Sequence, residues 1–163
     1  MAYNTIYQIT AEPLAEDEFV TENDFIDDWF IGAIAASVSG SDVKRGEEIR
    51  SFREWLEGKE IVLFSNDDSF VILPGGKEKY FEGAFEKFKE AAKRGAEITL
   101  EEFAGGDECG QIVGQIESSY CEKLEDYVYC DECEPNPVPF DEFMRKAESG
   151  QHYYINGIIR YHW

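Results

Sequence analysis

Four cysteines offer the most specific chemistry in this chain. Cys130-Asp-Glu-Cys133 has the two-residue spacing of a metal knuckle or a redox pair, and Cys109 and Cys121 would complete a thiolate quartet for zinc. A full zinc signature pairs one such motif with a second or with two histidines, whereas Cys109 and Cys121 have eleven residues between them. A redox role fits poorly, because acids inside and around the motif raise a thiol pKa rather than lower it. The cysteines are therefore read as free thiols at a strand end and in a loop, with a zinc-stabilised domain as an alternative. The two histidines, His152 and His162, both fall in the last stretch of the chain. They could face each other across a hairpin or reach a metal. No metalloprotease spacing accompanies them, so they are read as ordinary strand residues. Pro74-Gly75-Gly76-Lys77 lacks the second glycine pattern and the hydroxyl residue of a phosphate loop, and is read as a turn and helix start. With 35 carboxylates available, any acid–base pair picked from sequence is arbitrary. No catalytic residue and no cofactor are assigned, and the chain is read as a non-enzyme.

The elements that must carry these residues are clearest from Glu60 to Gly95. Glu60–Ser65 and Ser69–Leu73 are β-branched and aromatic runs around Asn66-Asp67-Asp68, a hairpin pattern. From Lys77 the period becomes helical: Phe81, Phe85, Phe88 and Ala92 share a face that can lie on the sheet, and Gly95 closes the helix. Before this unit, Tyr3–Thr10 reads as a strand. Thr21-Glu-Asn-Asp24 suits a helix start running to about Val38, and Asp42–Lys59 is a second helix with Val43, Ile49, Phe52, Trp55 and Leu56 inward. On that helix Glu47, Glu48, Arg50, Arg53, Glu54 and Glu57 are expected in water.

After Gly95, Thr99-Leu-Glu-Glu102 has capping-box spacing, Asp107–Glu125 reads as a helix, Asp126–Cys130 as a strand, and the proline-rich Cys133–Pro139 as a loop or exposed edge. Phe140–Glu148 is a short helix. Asn156-Gly157, between His152–Ile155 and Ile158–His162, is the strongest hairpin signal present. The expected fold is α+β, a mostly antiparallel sheet with amphipathic helices packed on it. Residues 1–163 are taken as a single domain, with two lobes at 1–95 and 96–163 as the alternative.

Charge is the feature that bears on function. The chain carries 35 acids against 15 bases, a formal net of −20. A magnitude of about 2–8 suffices to keep a small domain in solution, and a larger excess costs self-repulsion. Ala11–Asp28 has eight acids and no base, and Glu97–Glu142 has fourteen acids and one base, Lys123. The segment between them holds most of the bases. A folded surface dense in carboxylates resembles the phosphate array of duplex DNA, and would be drawn to a groove built of Lys and Arg. The candidate partner-binding residues are Glu16, Asp17, Glu18, Glu22, Asp24, Asp27, Asp28, Asp107, Glu108, Glu125, Asp126, Asp131, Glu132 and Glu134.

One resemblance bears on the same point. Phe140-Asp141-Glu142-Phe143, Arg145, Glu148 and Gly150, followed by Tyr153-Tyr154, Asn156-Gly157-Ile158 and Tyr161, resemble the C-terminal end of ArdA-type antirestriction proteins. The resemblance covers about the last 25 residues. It implies an acidic protein of a mobile element that mimics DNA to inhibit type I restriction enzymes. The expectation is thus a DNA-mimic inhibitor of a bacterial defence protein, a restriction enzyme or a CRISPR nuclease, from a phage or mobile element. The partner would be a DNA- or RNA-binding protein met through its basic groove, with no nucleic acid and no membrane bound directly, and with homodimerisation left open. The competing expectation is a small interaction module whose charge serves solubility only. No signal peptide and no run of about 18 apolar residues is visible, so a cytoplasmic location in a bacterial host cell is expected.

Overall fold

The short β-branched and aromatic runs become strands of one sheet, and the amphipathic stretches become the helices beside it. The computed structural model describes residues 3–25, 36–37, 42–120, 127–130 and 137–162. The chain forms two compact units, one comprising Met1–Lys77 with Leu124–Trp163 and the other Glu78–Lys123.

In the first unit the strands are β1 (Tyr3–Thr10), β2 (Ala36–Ser37), β3 (Val62–Asn66), β4 (Ser69–Ile72), β5 (Tyr127–Cys130), β6 (Val138–Pro139) and β7 (His152–His162). Among the described residues their order is β3-β4-β7-β1-β5-β6, with β2 also paired to β7. Only β1 and β5 run parallel; the other pairings are antiparallel. The fold is α+β with a mostly antiparallel sheet. Strand β1 is central, and Thr5 through Thr10 are all buried. A strand covered on both faces need not alternate, which is why its sequence pattern is loose.

Helices α1 (Asp42–Gly58) and α5 (Phe140–Lys146) pack on the sheet. Phe52 stacks on Tyr7 with ring centroids 4.2 Å apart and meets Phe140 edge-on at 5.5 Å. Ile49, Phe52 and Leu56 are buried, as their spacing on α1 predicts. Each such side chain contributes roughly 2 kcal/mol through burial. Glu48, expected in water, is instead only 15% exposed. Its Oε1 lies 3.0 Å from Arg160 Nε, Thr5 Oγ1 donates to its Oε2 at 3.2 Å, and Tyr7 donates to its carbonyl at 3.2 Å. The helix is thereby tied to β1 and β7 by a polar clamp as well as by its rings.

The β3–β4 hairpin forms as its turn residues predict. The chain then enters α2 (Gly76–Glu97) with no room for a side chain at Gly76, where a Cβ would stand 2.5 Å from the Ile61 carbonyl oxygen. Lys77 donates from Nζ to the Arg145 carbonyl at 2.7 Å, so Pro74–Lys77 is a turn and helix start. The α2 aromatic stripe does not become a buried layer: Phe85 is 56% exposed, and Phe81 and Phe88 are half-buried.

Two other expectations are corrected. The helix expected from Thr21 to Val38 is a short 3-10 turn at Glu22–Phe25, and Ala36–Ser37 is a strand on β7; residues 26–35 lie outside the described residues. The terminal hairpin is one continuous eleven-residue strand, β7. Tyr7 pairs with Ile158 and Ile9 with Ile155, so Asn156 and Gly157 stand opposite the single residue Gln8 as a β-bulge. His152 and His162 therefore sit at opposite ends of one strand, roughly 30 Å apart at the usual rise per residue. They cannot share a metal across a turn.

The second unit holds most of α2, then α3 (Leu100–Gly105) and α4 (Asp107–Tyr120). Gly95, expected to close α2, lies inside the helix without a positive φ. A Cβ there would stand 3.4 Å from Ile112 Cγ2, ordinary contact. Arg94 joins Gln115 at 3.0 Å and Glu108 at 3.4 Å. The capping box expected at Thr99 forms: Thr99 Oγ1 accepts from Glu102 N, and Glu102 Oε2 accepts from Thr99 N at 2.7 Å. The Thr99 side-chain hydrogen bond, then its backbone one, holds the Glu102 pKa below its ordinary value of 4.5. A depressed carboxylate stabilises the fold above its unfolded pKa, and this is lost as pH falls through the folded value. Amide protection in the first turn of α3 is thus expected to drop on acidification, and Thr99→Val to return the Glu102 titration, followed by NMR, toward 4.5.

Candidate acidic interaction surface

The acidic segment leaves β1 at Thr10 and crosses the bulge of β7. A bulge frees backbone groups that must find partners. Three buried polar side chains supply them: Gln8, Thr10 and Asn156, each no more than 6% exposed. Gln8 Oε1 accepts from Val20 N and Gly157 N, both at 3.0 Å, while its Nε2 donates to the Glu18 carbonyl at 3.3 Å. Asn156 Oδ1 accepts from Leu14 N at 3.1 Å, and its Nδ2 donates to Thr10 Oγ1 at 2.7 Å. Thr10 donates in turn to the Glu12 carbonyl. On the far side, Arg45 takes up the Asn156 and Ile155 carbonyls at 2.8 and 2.9 Å, with its guanidinium over the Phe19 ring.

The acidic segment is therefore pinned at Glu12, Leu14, Glu18 and Val20. Between these pins Glu16–Glu18 closes a 3-10 turn, in which Glu18 N donates to the Ala15 carbonyl at 2.9 Å and Ala15 N to Glu18 Oε2 at 2.9 Å. Just beyond, Asp24 Oδ2 accepts from Thr21 N at 2.6 Å, half of the cap expected there. Glu12, Glu16, Asp17, Glu18 and Asp24 are exposed, and no ion pair reaches any of them among the described residues. These carboxylates stand in water on a backbone fixed from beneath.

Several cations of this unit, by contrast, are engaged within it. Arg45 serves the bulge and lies 3.7 Å from Asp68; Arg53 pairs with Glu57 and Asp67; Arg160 pairs with Glu48. Lys59 lies over the Trp55 ring. Counting residues by unit, the first carries 24 acids and 9 bases, a net of −15, and the second 11 acids and 6 bases, a net of −5. Relative to their lengths the two units are about equally acidic, so the acidic turn is set apart by its local run of acids and not by the charge of its unit.

Of the residues singled out from sequence, Glu16, Asp17, Glu18 and Asp24 share this one segment, and Glu12 joins them. Glu22 belongs to the second 3-10 turn, its side chain outside the described residues, and Asp27, Asp28, Glu125, Asp126, Asp131, Glu132 and Glu134 also lie outside them. Asp107 and Glu108 are exposed at the start of α4 in the second unit, where Glu108 pairs with Arg94. The residues that sequence reasoning missed are those beneath the surface. Gln8, Asn156 and Arg45 carry no motif, and the one visible signal, Asn156-Gly157, points to a turn that does not form.

The zinc quartet falls largely outside the described residues: Cys121 and Cys133 lie there altogether, and Cys130 is described only as backbone of β5. Cys109 is a free, half-buried thiol, and no group of three metal-ligating side chains occurs among the described residues. Two grooves are seen among the described residues. One of about 260 Å³ is lined by Lys87, Glu90, Arg94, Gln115, Ser118 and Ser119, and one of about 390 Å³ by Arg50, Arg53, Glu54, Glu57 and Asp67. Neither lining contains a histidine or a cysteine. No helix among the described residues is long and apolar enough to cross a membrane. No protein-family model, no curated protein and no solved structure matches this chain.

Proposed function

We propose that this protein is a DNA-mimic inhibitor, which occupies the basic groove of a nucleic-acid-binding bacterial defence protein in the cytoplasm. The observation that carries the reading is the turn Glu16–Glu18 with Glu12 and Asp24 beside it: exposed carboxylates with no counter-cation among the described residues, on a backbone hydrogen-bonded to the buried Gln8 and Asn156. A mobile acidic tail would lose conformational freedom on docking, whereas a pinned one has lost it already. Fixed anions also release the counterions of a Lys/Arg groove as phosphates do. The resemblance of residues 140–161 to ArdA-type proteins points the same way. Its residues Phe140, Phe143, Tyr153, Asn156 and Ile158 are buried, so the likeness lies in packing and not in the acidic surface.

The test is inhibition of DNA cleavage across a panel of restriction and CRISPR nucleases, at two salt concentrations and with non-specific DNA as competitor. Inhibition relieved by salt and by competitor DNA is the expected result. Binding to a partner that hardly changes with salt would replace this reading with that of an interaction module recognised through apolar surface.

A further inference from the structure

Asn156-Gly157 is a dipeptide that can react with itself. Glycine has no side chain to bar the approach, so its amide nitrogen can attack the Cγ of the preceding asparagine. A C–N bond forms, ammonia leaves carrying the proton that the nitrogen gives up, and water opens the resulting succinimide at either carbonyl. The products are aspartate and isoaspartate. The other four asparagines, Asn4, Asn23, Asn66 and Asn136, precede Thr, Asp, Asp and Pro, and none has this open approach.

The fold requires both residues of the pair. At position 157 a Cβ would stand 2.8 Å from Gln8 Oε1 and 2.9 Å from Val20 N, so glycine is needed. At position 156 one side chain must accept and donate at once. Its Oδ1 accepts from Leu14 N at 3.1 Å, and its Nδ2 donates to Thr10 Oγ1 at 2.7 Å and to the Tyr154 carbonyl at 3.4 Å. An aspartate has no hydrogen to give, and the Thr10 hydroxyl already donates its own to the Glu12 carbonyl. The anchor of the acidic segment is thus built on a labile pair. The same contacts keep that pair unreacted. Asn156 is 3% exposed, both ends of its amide are engaged, and Gly157 N donates to Gln8 Oε1 at 3.0 Å. For the nitrogen to turn back onto Cγ, both sets of hydrogen bonds must break.

We propose that Asn156-Gly157 is a latent deamidation site, closed by the fold and exposed whenever β7 opens from β1 at the bulge. Conversion runs one way. Aspartate sets a carboxylate against Thr10 Oγ1 and the Tyr154 carbonyl, which offer it only lone pairs, and isoaspartate adds a methylene to the strand backbone. Neither product restores the anchor. The inference does not depend on the proposed inhibition; its consequence there is that a copy once opened for long presents its acidic turn on a loosened backbone.

The experiment is incubation of the full chain in neutral buffer and, at the same temperature, in denaturing guanidinium chloride. Peptide mass spectrometry then follows aspartate and isoaspartate at position 156. The unfolded chain is expected to convert at Asn156 ahead of Asn4, Asn23 and Asn66. The native chain should convert at least about tenfold more slowly, since only opened copies react. Gln8→Ala, shown to be folded by circular dichroism, should fall between the two. Native conversion at the unfolded rate, or an unfolded chain in which Asn156 is no faster than the other asparagines, would overturn the proposal, and this wild-type comparison is complete without any variant. A folded Gln8→Ala chain as resistant as wild type would overturn the role given to Gln8. Asn156→Asp reproduces one product. Its amide protection at Val20 and Gly157 is expected to fall at least about tenfold, and protection equal to wild type would overturn the loosening. Nuclease inhibition plays no part in these readouts, so the two proposals fail separately.

Discussion

Replacing Gly157 by alanine is expected to destabilise the protein by about 3 kcal/mol, near the upper end of overpacking costs. An added Cβ would stand 2.8 Å from Gln8 Oε1 and 2.9 Å from both Val20 Cγ2 and Val20 N. The last of these is backbone, and Val20 N is itself hydrogen-bonded to Gln8, so neither can withdraw without breaking the network. The strain falls on the anchor of the acidic segment. Loss of amide protection at Val20 and Leu14 should therefore exceed that in α1. Urea unfolding gives the first quantity and hydrogen exchange the second. A variant as stable as wild type, with Val20 still protected, would show that the segment is not held by this contact. Asn156→Ala tests the same anchor without added volume. It leaves the half-buried Leu14 N without its acceptor, a loss of about 1 kcal/mol.

The second large effect separates the surface from its anchor. The triple variant Glu12→Lys, Glu16→Lys and Asp17→Lys is expected to weaken inhibition of the sensitive nuclease about 100-fold, on the order of 1 kcal/mol for each reversed charge at an exposed contact. Glu18 is left in place because its carboxylate closes the turn on Ala15 N. The three chosen side chains take part in no described ion pair, so the melting temperature should hold or rise slightly as self-repulsion falls. Most of the loss should appear in the association rate and should shrink at high salt. Inhibition within about threefold of wild type would show that this turn is not what the partner reads. The triple reversal of Glu101, Asp107 and Glu108, all exposed in the second unit, provides the comparison at equal change of charge.

These two predictions divide what was legible in the chain from what was not. Local pattern determined most elements. Asn66-Asp67-Asp68 made a turn, Thr99 and Glu102 capped α3, and the spacing of Ile49, Phe52 and Leu56 placed the inner face of α1. Each depends on residues within a few positions, so the sequence carries it unaided. The total charge and its segregation into tracts were equally plain.

Tertiary structure decided the rest. Asn156-Gly157 is a good hairpin turn in isolation, yet Gln8 and Thr10 lie nearly 150 positions away and convert it to a bulge in a long strand. Two buried hydrogen-bond sets outweigh a local turn preference, because unpaired polar groups inside the protein are costlier than a less favoured backbone. Glu48 passed from the expected water to a clamp for the same reason, once Arg160 and Thr5 arrived beside it. The Phe81–Phe88 stripe shows the converse. Periodicity identified an apolar face on α2, but Phe85 stays 56% exposed, because how far a face is covered is decided by tertiary packing and not by the helix. Composition determined that this protein is acidic; only the fold determined which carboxylates stand on a fixed backbone, with no counter-cation among the described residues.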